Sequence, residues 1–214
     1  GGRDYNTVDM SVRRLKETHL PPFKAALEAG VATYMTSFNE LNGVPVTGSE
    51  EFVKGIIKDQ WDFNGFIVSD WASVSEMIVH GVARDKYEAG ELAMNAGVDM
   101  DMEGRVYIEE LKSLIEDGKI TEEQVNDAVR RILRKKFELG LFDDPYKYCD
   151  KKREEKLLLA EPHRKHARRV ASESMVLLKN ENNALPLSKD LSSVALIGPL
   201  VEGDQAYIGT WSAR

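Results

Sequence analysis

Short apolar runs alternate along this chain with amphipathic stretches of about ten residues or more, and that alternation limits its fold more than any other feature. The runs are VATYMTSF (31–38), GFIV (65–68) and VDMDM (98–102). A strand with few polar side chains needs cover on both faces, and a helix-length connection returns the chain so that the next strand lies parallel to the last. The pattern predicts parallel βαβ units, and hence an α/β protein.

Local signals place the elements between these runs. Ser11 to Ala29 reads as a helix interrupted by Pro21 and Pro22, with Gly30 as its stop. Thr47 and Glu50 have the spacing of a capping box ahead of Phe52, Val53, Ile56 and Ile57, which share one helical face. A helix is predicted from about Asp85 to Ala96, closed by Gly97. Ile108, Leu111, Leu114 and Ile115 mark another, closed by Gly118. Thr121 and Gln124 form a second capping box before Val125, Ala128, Val129, Ile132 and Leu133, and Gly140 ends that helix.

From Leu141 the character changes. FDDPYKYCDKKREEK is charged, holds Pro145 and shows no sustained period, so a linker is predicted there. A helix from Glu161 to about Ser174 follows. MVLLK and SVALIGP then read as strands, the second as the first buried strand of a new α/β domain that is unfinished at Arg214.

Charge and residue usage exclude several functions. A net charge of −7 and a pI near 5.3 oppose nucleic acid or an anionic membrane as partner, since both require a concentrated positive field. The basic stretch Arg130–Lys136 closes an amphipathic segment, where cations suit the helix C-terminus, and is expected on a solvated face. One cysteine, Cys149, permits neither an intramolecular disulfide nor a Cys-rich zinc site. No apolar run is long enough to span a bilayer. The first residues lack the pattern of a signal peptide, and their start without a methionine leads us to expect a piece of a longer protein. Neither dinucleotide-binding and P-loop glycine patterns nor a G-x-S-x-G elbow occurs. His163 and His166 share a helical face without a visible third ligand, so no metal is expected.

One stretch suggests chemistry. NGFIVSDWASV places Asp70 and Trp71 directly after an apolar run. In parallel α/β barrels the carboxyl ends of strands converge on the active face. Asp70 or Ser69 could equally cap a following helix, and Trp71 could pack on a loop. Taken together, a carboxylate supplies a nucleophile or charge stabiliser, and an indole suits the apolar face of a sugar ring.

The motifs GGRDYNTVDMS, LPPFKAALEAG, MTSFNELNGVP, GFIVSDW, NAGVDMDM, AVRRILRKKFELGLFDDPY and ASESMVLLKNENNALPL occur in the order found in glycoside hydrolase family 3, and the chain resembles that family over nearly its whole length. The resemblance implies the C-terminal part of a (β/α)8 TIM-type barrel over residues 1–140, with 31–38, 65–70 and 98–102 as its last three strands. It also implies a linker over 141–160 and the start of an α/β sandwich domain over 161–214. Asp70 takes the position of the family's nucleophile and Trp71 that of a tryptophan beside the sugar. Met35 and Phe38, in MTSFN, fall at further sugar contacts, and Phe38 stands where many members carry a tyrosine.

The implied activity is that of a retaining, exo-acting β-glycosidase of β-glucosidase type, working without a cofactor on a β-glucoside or oligosaccharide. β-Xylosidase activity is the alternative, and a non-catalytic carbohydrate-binding module the rival outside enzymes. By the same likeness a Lys-His pair lies upstream of Gly1 and the acid/base glutamate beyond Arg214. Glu40, Glu76, Asp101 and Glu103 are local acids that stay open for that role. Three strands cannot close a barrel. The polypeptide alone is therefore expected to be inactive and to self-associate or rearrange, and the parent is expected in the periplasm or outside the cell.

Overall fold

A computed structural model of the chain describes residues 5–201. It divides into two compact units, Gly1–Cys149 and Asp150–Arg214. Residues 1–4 of the GGRDYNTVDMS motif and residues 202–214 of the expected second domain lie outside the described residues.

The first unit is mixed α/β. Strand β1 (Thr33–Met35) pairs in parallel with β4 (Phe66–Val68), in the register Tyr34 to Ile67 and Met35 to Val68. Residues 98–100 add a third parallel segment, with Asp99 N and Met100 N donating to Ile67 O and a bridge from Val68 to Met100. The three apolar runs therefore lie side by side, with GFIV in the middle. Successive side chains alternate between faces. Tyr34 and Ile67 are buried against the helices, while Met35, on the other face, is exposed.

Helix α1 (Val12–Arg14) continues through a wide turn, and Pro21 starts a new helix, α2 (Pro21–Glu28), rather than merely kinking the old one. A proline N–H is not needed in a first helical turn. Helix α3 (Ser73–Glu76) is short. Helix α4 (Lys86–Ala96) is capped by the Asp85 carboxylate, which accepts from Glu88 N, and stops at Gly97 with φ 91°. Helix α5 (Val106–Glu116) buries Val106 and Leu114. Ile108, expected on that apolar face, points outward instead. Helix α6 (Glu122–Glu138) begins with the expected capping box of Thr121 and Gln124. Ile67, Val74, Met77, Ala93, Val98 and Val106 form the heart of the core, and each large apolar side chain so buried contributes about 1.5–3 kcal/mol.

Two local expectations are corrected, and one stretch left unassigned is filled. Thr47 is not a helix cap. Its hydroxyl is fully buried, shares a 2.8 Å hydrogen bond with Thr36 Oγ1 and donates to Ser73 Oγ at 3.0 Å, and the helix Glu51–Gln60 has no side-chain cap. A buried hydroxyl takes the partners its packing offers, here from β1 and α3. Second, residues 40–45, to which the sequence reading assigned no element, form a hairpin of β2 (Glu40–Leu41) and β3 (Val44–Pro45). Asn42 and Gly43, with φ of 54° and 83°, make the turn. Third, the basic end of α6 is only partly solvated. Arg131 pairs with Asp127 at 2.8 Å and donates to the carbonyls of Phe63 and Gly65 at 2.9 and 3.1 Å, which clamps α6 to the entry of β4.

In the second unit the charged stretch expected to be irregular contains α7 (Lys151–Leu157), capped by Asp150, and α8 (Glu161–Glu173) follows. MVLLK and SVALIGP form no ladder among the described residues, and Leu196 and Ile197 are exposed. A strand exists only against a partner, and no described segment of this unit supplies one.

Candidate active site

The loop after β4 is built by hydrogen bonds to the neighbouring strand. Ser69 N donates to Met100 O at 2.8 Å and Ala72 N to Met102 O at 2.7 Å. Ser69 is completely buried. Its hydroxyl donates to Asp70 O at 2.9 Å and accepts from Met102 N at 2.8 Å, so both sides of the turn are pinned. Ala72 adopts a left-handed conformation, φ 57°, which turns the chain into α3. This φ costs a non-glycine residue some backbone energy, and the hydrogen bonds of Ser69 N and Ala72 N to Met100 O and Met102 O hold it.

Asp70 emerges at the carboxyl end of the middle strand. Its Oδ1 accepts from Trp71 N at 2.7 Å, and α3 has no side-chain cap. The carboxylate is thus free of the capping duty that its position could have served. Trp71 is half exposed, so its indole is available to a ligand. Met35, opposite Val68 in the ladder, is exposed on the strand face away from the helices. Phe38 differs from the other three. It is 6% exposed, and the Tyr5 ring lies parallel to it with centroids 4.5 Å apart.

Three of the four other acids have partners of their own. Glu40 Oε1 lies 2.8 Å from His80 Nδ1 while Oε2 accepts from Thr7 Oγ1 at 3.1 Å, and the His80 hydrogen bond holds this carboxyl below its usual range. Glu76 accepts from the Tyr5 hydroxyl at 3.3 Å. Asp101 Oδ2 accepts from Val106 N at 2.7 Å, which fastens the N-terminus of α5, and burial raises its carboxyl despite these donors. Glu103 is exposed on a turn with φ 63°. None of the four bonds to Asp70.

Sequence reasoning offered Ser69 only as a possible helix cap, and it missed Tyr5 and His80. Ser69 sits inside SDW, so its neighbourhood was visible, but a hydroxyl that reaches the next strand leaves no periodic mark. Tyr5 and His80 lie in loops and meet Phe38 and Glu40 only through the tertiary fold.

A second polar cluster lies on the helix-facing side of the same strands. Lys58 Nζ pairs with Asp99 Oδ1 at 2.7 Å, and Asp99 Oδ2 accepts from Ile67 N at 2.7 Å. Burial raises the Asp99 carboxyl and lowers the Lys58 ammonium, and their mutual attraction opposes both shifts. Such a pair belongs to the scaffold rather than to the strand ends.

Comparison with known proteins decides the family. The pattern of the glycosyl hydrolase family 3 N terminal domain matches residues 1–135. The chain belongs to glycosyl hydrolase family 3. Among family 3 relatives, a periplasmic β-glucosidase of Salmonella typhimurium is 43% identical over 216 positions, an alignment covering 100% of this chain and 28% of that protein. A β-xylosidase of Formosa agariphila is 38% identical over 213 positions, covering 95% of this chain and 29% of that protein. The solved structure of a β-glucosidase from Listeria innocua in complex with glucose superimposes with a TM-score of 0.73 at 42% identity, over 86% of this chain and 25% of that one. The chain thus spans about a quarter of the length of the family 3 proteins it matches.

Proposed function

We propose that the protein to which this chain belongs is a retaining, exo-acting β-glycosidase of β-glucosidase type, with Asp70 as nucleophile. The observation that carries this reading is the placement of Asp70 at the carboxyl end of the middle parallel strand, with its carboxylate held by one backbone N–H and not spent on a helix cap. Residues 1–140 are the last part of a (β/α)8 barrel, 141–160 a linker and 161–214 the beginning of a sandwich domain. On this reading the exposed face of β1 that carries Met35 is barrel interior, covered in the parent by the rest of the barrel. The similarity to a periplasmic relative supports a periplasmic parent.

Asp70 attacks the anomeric carbon through an oxocarbenium-like transition state while a protonated carboxyl group gives its proton to the leaving oxygen. Water, deprotonated by that same group, then cleaves the glycosyl ester with net retention. The hydrogen bond from Trp71 N to Oδ1 orients the carboxylate that attacks. Trp71 offers its ring to the sugar and Met35 adds to the wall, while Phe38, buried against the Tyr5 ring, supports it from behind. The acid/base carboxyl comes from a segment of the parent outside this chain, in keeping with the prior engagement of Glu40, Glu76 and Asp101. The chain alone is inactive.

β-Xylosidase activity is the second reading, favoured by the xylosidases among the relatives. The test is proton NMR of the parent enzyme acting on aryl β-glucoside and aryl β-xyloside. Release of the β-anomer first, from glucoside faster than from xyloside, supports the proposal. Release of the α-anomer first would exclude a glycosyl-Asp70 intermediate.

A further inference from the structure

The loop that joins the third parallel segment to α5, residues 101–105, is held in a costly conformation next to the Asp70 turn. Glu103 and Arg105 both adopt left-handed backbone, with φ of 63° and 57°, although neither is glycine. Asp101 Oδ1 is, among the described residues, a buried side-chain oxygen that no donor reaches. Each feature costs free energy, and such costs persist where the surrounding contacts over-determine the geometry.

Those contacts converge on Asp101. Its Oδ2 accepts from Val106 N at 2.7 Å and from Tyr107 N at 3.4 Å, while Arg105, which precedes α5, gives that helix no side-chain cap. The Tyr107 hydroxyl donates to Val98 O at 2.7 Å, so the first turn of α5 is also tied back to the strand it follows. Gly104 is buried over the carboxyl group, where a Cβ would lie 2.6 Å from Oδ1 and 3.2 Å from Cγ. Met102 lies inside this fold of chain, and its two backbone groups bracket Asp70. Its N–H donates to Ser69 Oγ at 2.8 Å, and its carbonyl accepts from Ala72 N at 2.7 Å.

We propose that Asp101 is a positioning residue for the nucleophile: its carboxyl group gathers residues 102–107 around itself and so fixes Met102, which grips the turn on both sides of Asp70. This rests on the reading of Asp70 as nucleophile. Asp101 makes no bond to Asp70 and acts through Met102, Ser69 and Ala72. A reacting carboxylate held less precisely loses rate in the chemical step, whereas sugar binding, which uses other contacts, is little changed. The hydrogen bonds that hold the loop go to Oδ2 alone, so an acceptor at this position is what the role requires.

The test uses the full-length enzyme with an aryl β-glycoside and reads kcat, KM and amide hydrogen exchange. Asp101→Ala is expected to lower kcat about tenfold or more with KM within about threefold of wild type. Asp101→Asn keeps an acceptor for Val106 N and is expected to hold kcat within about threefold. In Asp101→Ala the amides of Ala72 and Met102 should exchange about tenfold faster, while that of Ser69, whose acceptor Met100 O precedes the loop, stays within about threefold. Gly104→Ala drives a Cβ against Oδ1 with the carboxyl still in place and is expected to reproduce both effects, which also decides the matter should Asp101→Ala fail to accumulate. The proposal is overturned if both alanine variants leave kcat within about twofold of wild type, or if Asp101→Asn is as impaired as Asp101→Ala. It is equally overturned if only the Val106 and Tyr107 amides exchange faster, since Asp101 would then be a helix cap and nothing more. With a sugar adduct on Asp70 and both alanine variants silent, the positioning role alone fails. An adduct on another carboxylate removes the nucleophile reading, and the exchange pattern still judges whether Asp101 holds the turn.

Discussion

Removing the cation from the buried Lys58–Asp99 pair should loosen the strands that carry the active loop. The substitution is Lys58→Met, which keeps the length of the side chain. In the wild type the side chains are 10% and 3% exposed, and the Asp99 carboxylate is shared between Lys58 Nζ and Ile67 N, each at 2.7 Å. Lys58→Met leaves that carboxylate buried with one neutral donor, and breaking a buried pair in this way costs about 3–5 kcal/mol. At 1.36 kcal/mol per factor of ten, the amides of residues 66–69 and 98–100 should exchange hydrogen roughly two to four orders of magnitude faster in the full-length protein.

Asp99→Asn in the Lys58→Met background keeps an acceptor for Ile67 N and removes the stranded charge, so it should recover most of the loss. The penalty also has a sign in pH. Burial raises the Asp99 carboxyl already in the wild type, and without Lys58 the rise is larger. A group whose folded pKa is raised stabilises the fold below its unfolded pKa and loses that contribution as pH rises through the folded pKa. The exchange defect of Lys58→Met, corrected for intrinsic rates, should therefore be smaller in mild acid than above neutrality. Exchange within about threefold of wild type for Lys58→Met would refute the reasoning, since it would mean the pair contributes almost nothing.

Three further outcomes follow from particular contacts. Ser69→Ala removes the acceptor of Met102 N and one anchor of Asp70, and should lower kcat between about tenfold and a hundredfold with little change in KM, measured on an aryl β-glycoside. Gly65→Ala would drive a Cβ into the carbonyl of Ala32 and the ring of Phe63, and should cost at least about 3 kcal/mol, read as a lowered unfolding midpoint or loss of soluble protein. Thr121→Ala breaks the capping box of α6, worth about 1 kcal/mol, and should speed exchange of the first-turn amides by roughly fivefold.

The parts of the fold that were legible in the sequence are those specified locally. Asp85 and Gly97 bound α4 because a cap and a left-handed stop are properties of two residues. Thr121 and Gln124 start α6 for the same reason. The three apolar runs announced parallel pairing because their composition suits strands covered by helices. The failures are tertiary in origin. Thr47 has the spacing of a cap, but its hydroxyl is claimed by Thr36 and Ser73. Arg131 carries the charge of a solvated helix end, yet two backbone carbonyls at the entry of β4 claim it. The Asn42–Gly43 turn was readable in principle and was overlooked because the strands on either side have only two residues each.

The candidate site shows the same division. Asp70 and Trp71 stood out because an acid and an indole directly after an apolar run are unusual neighbours, whereas the choice between cap and free carboxylate needed the structure of the turn. The Tyr5 ring over Phe38 had no sequence signal, since 33 positions separate the two residues in the chain.

The nucleophile assignment is tested most directly by trapping. The full-length enzyme would be treated with 2-deoxy-2-fluoro glycosyl donors that bear good leaving groups, in the glucosyl and xylosyl series, and the labelled peptide sequenced by mass spectrometry. A sugar ester on Asp70, formed faster from the glucosyl donor, is the expected result. A label on any other carboxylate, from an enzyme that hydrolyses the ordinary glycoside, would contradict it.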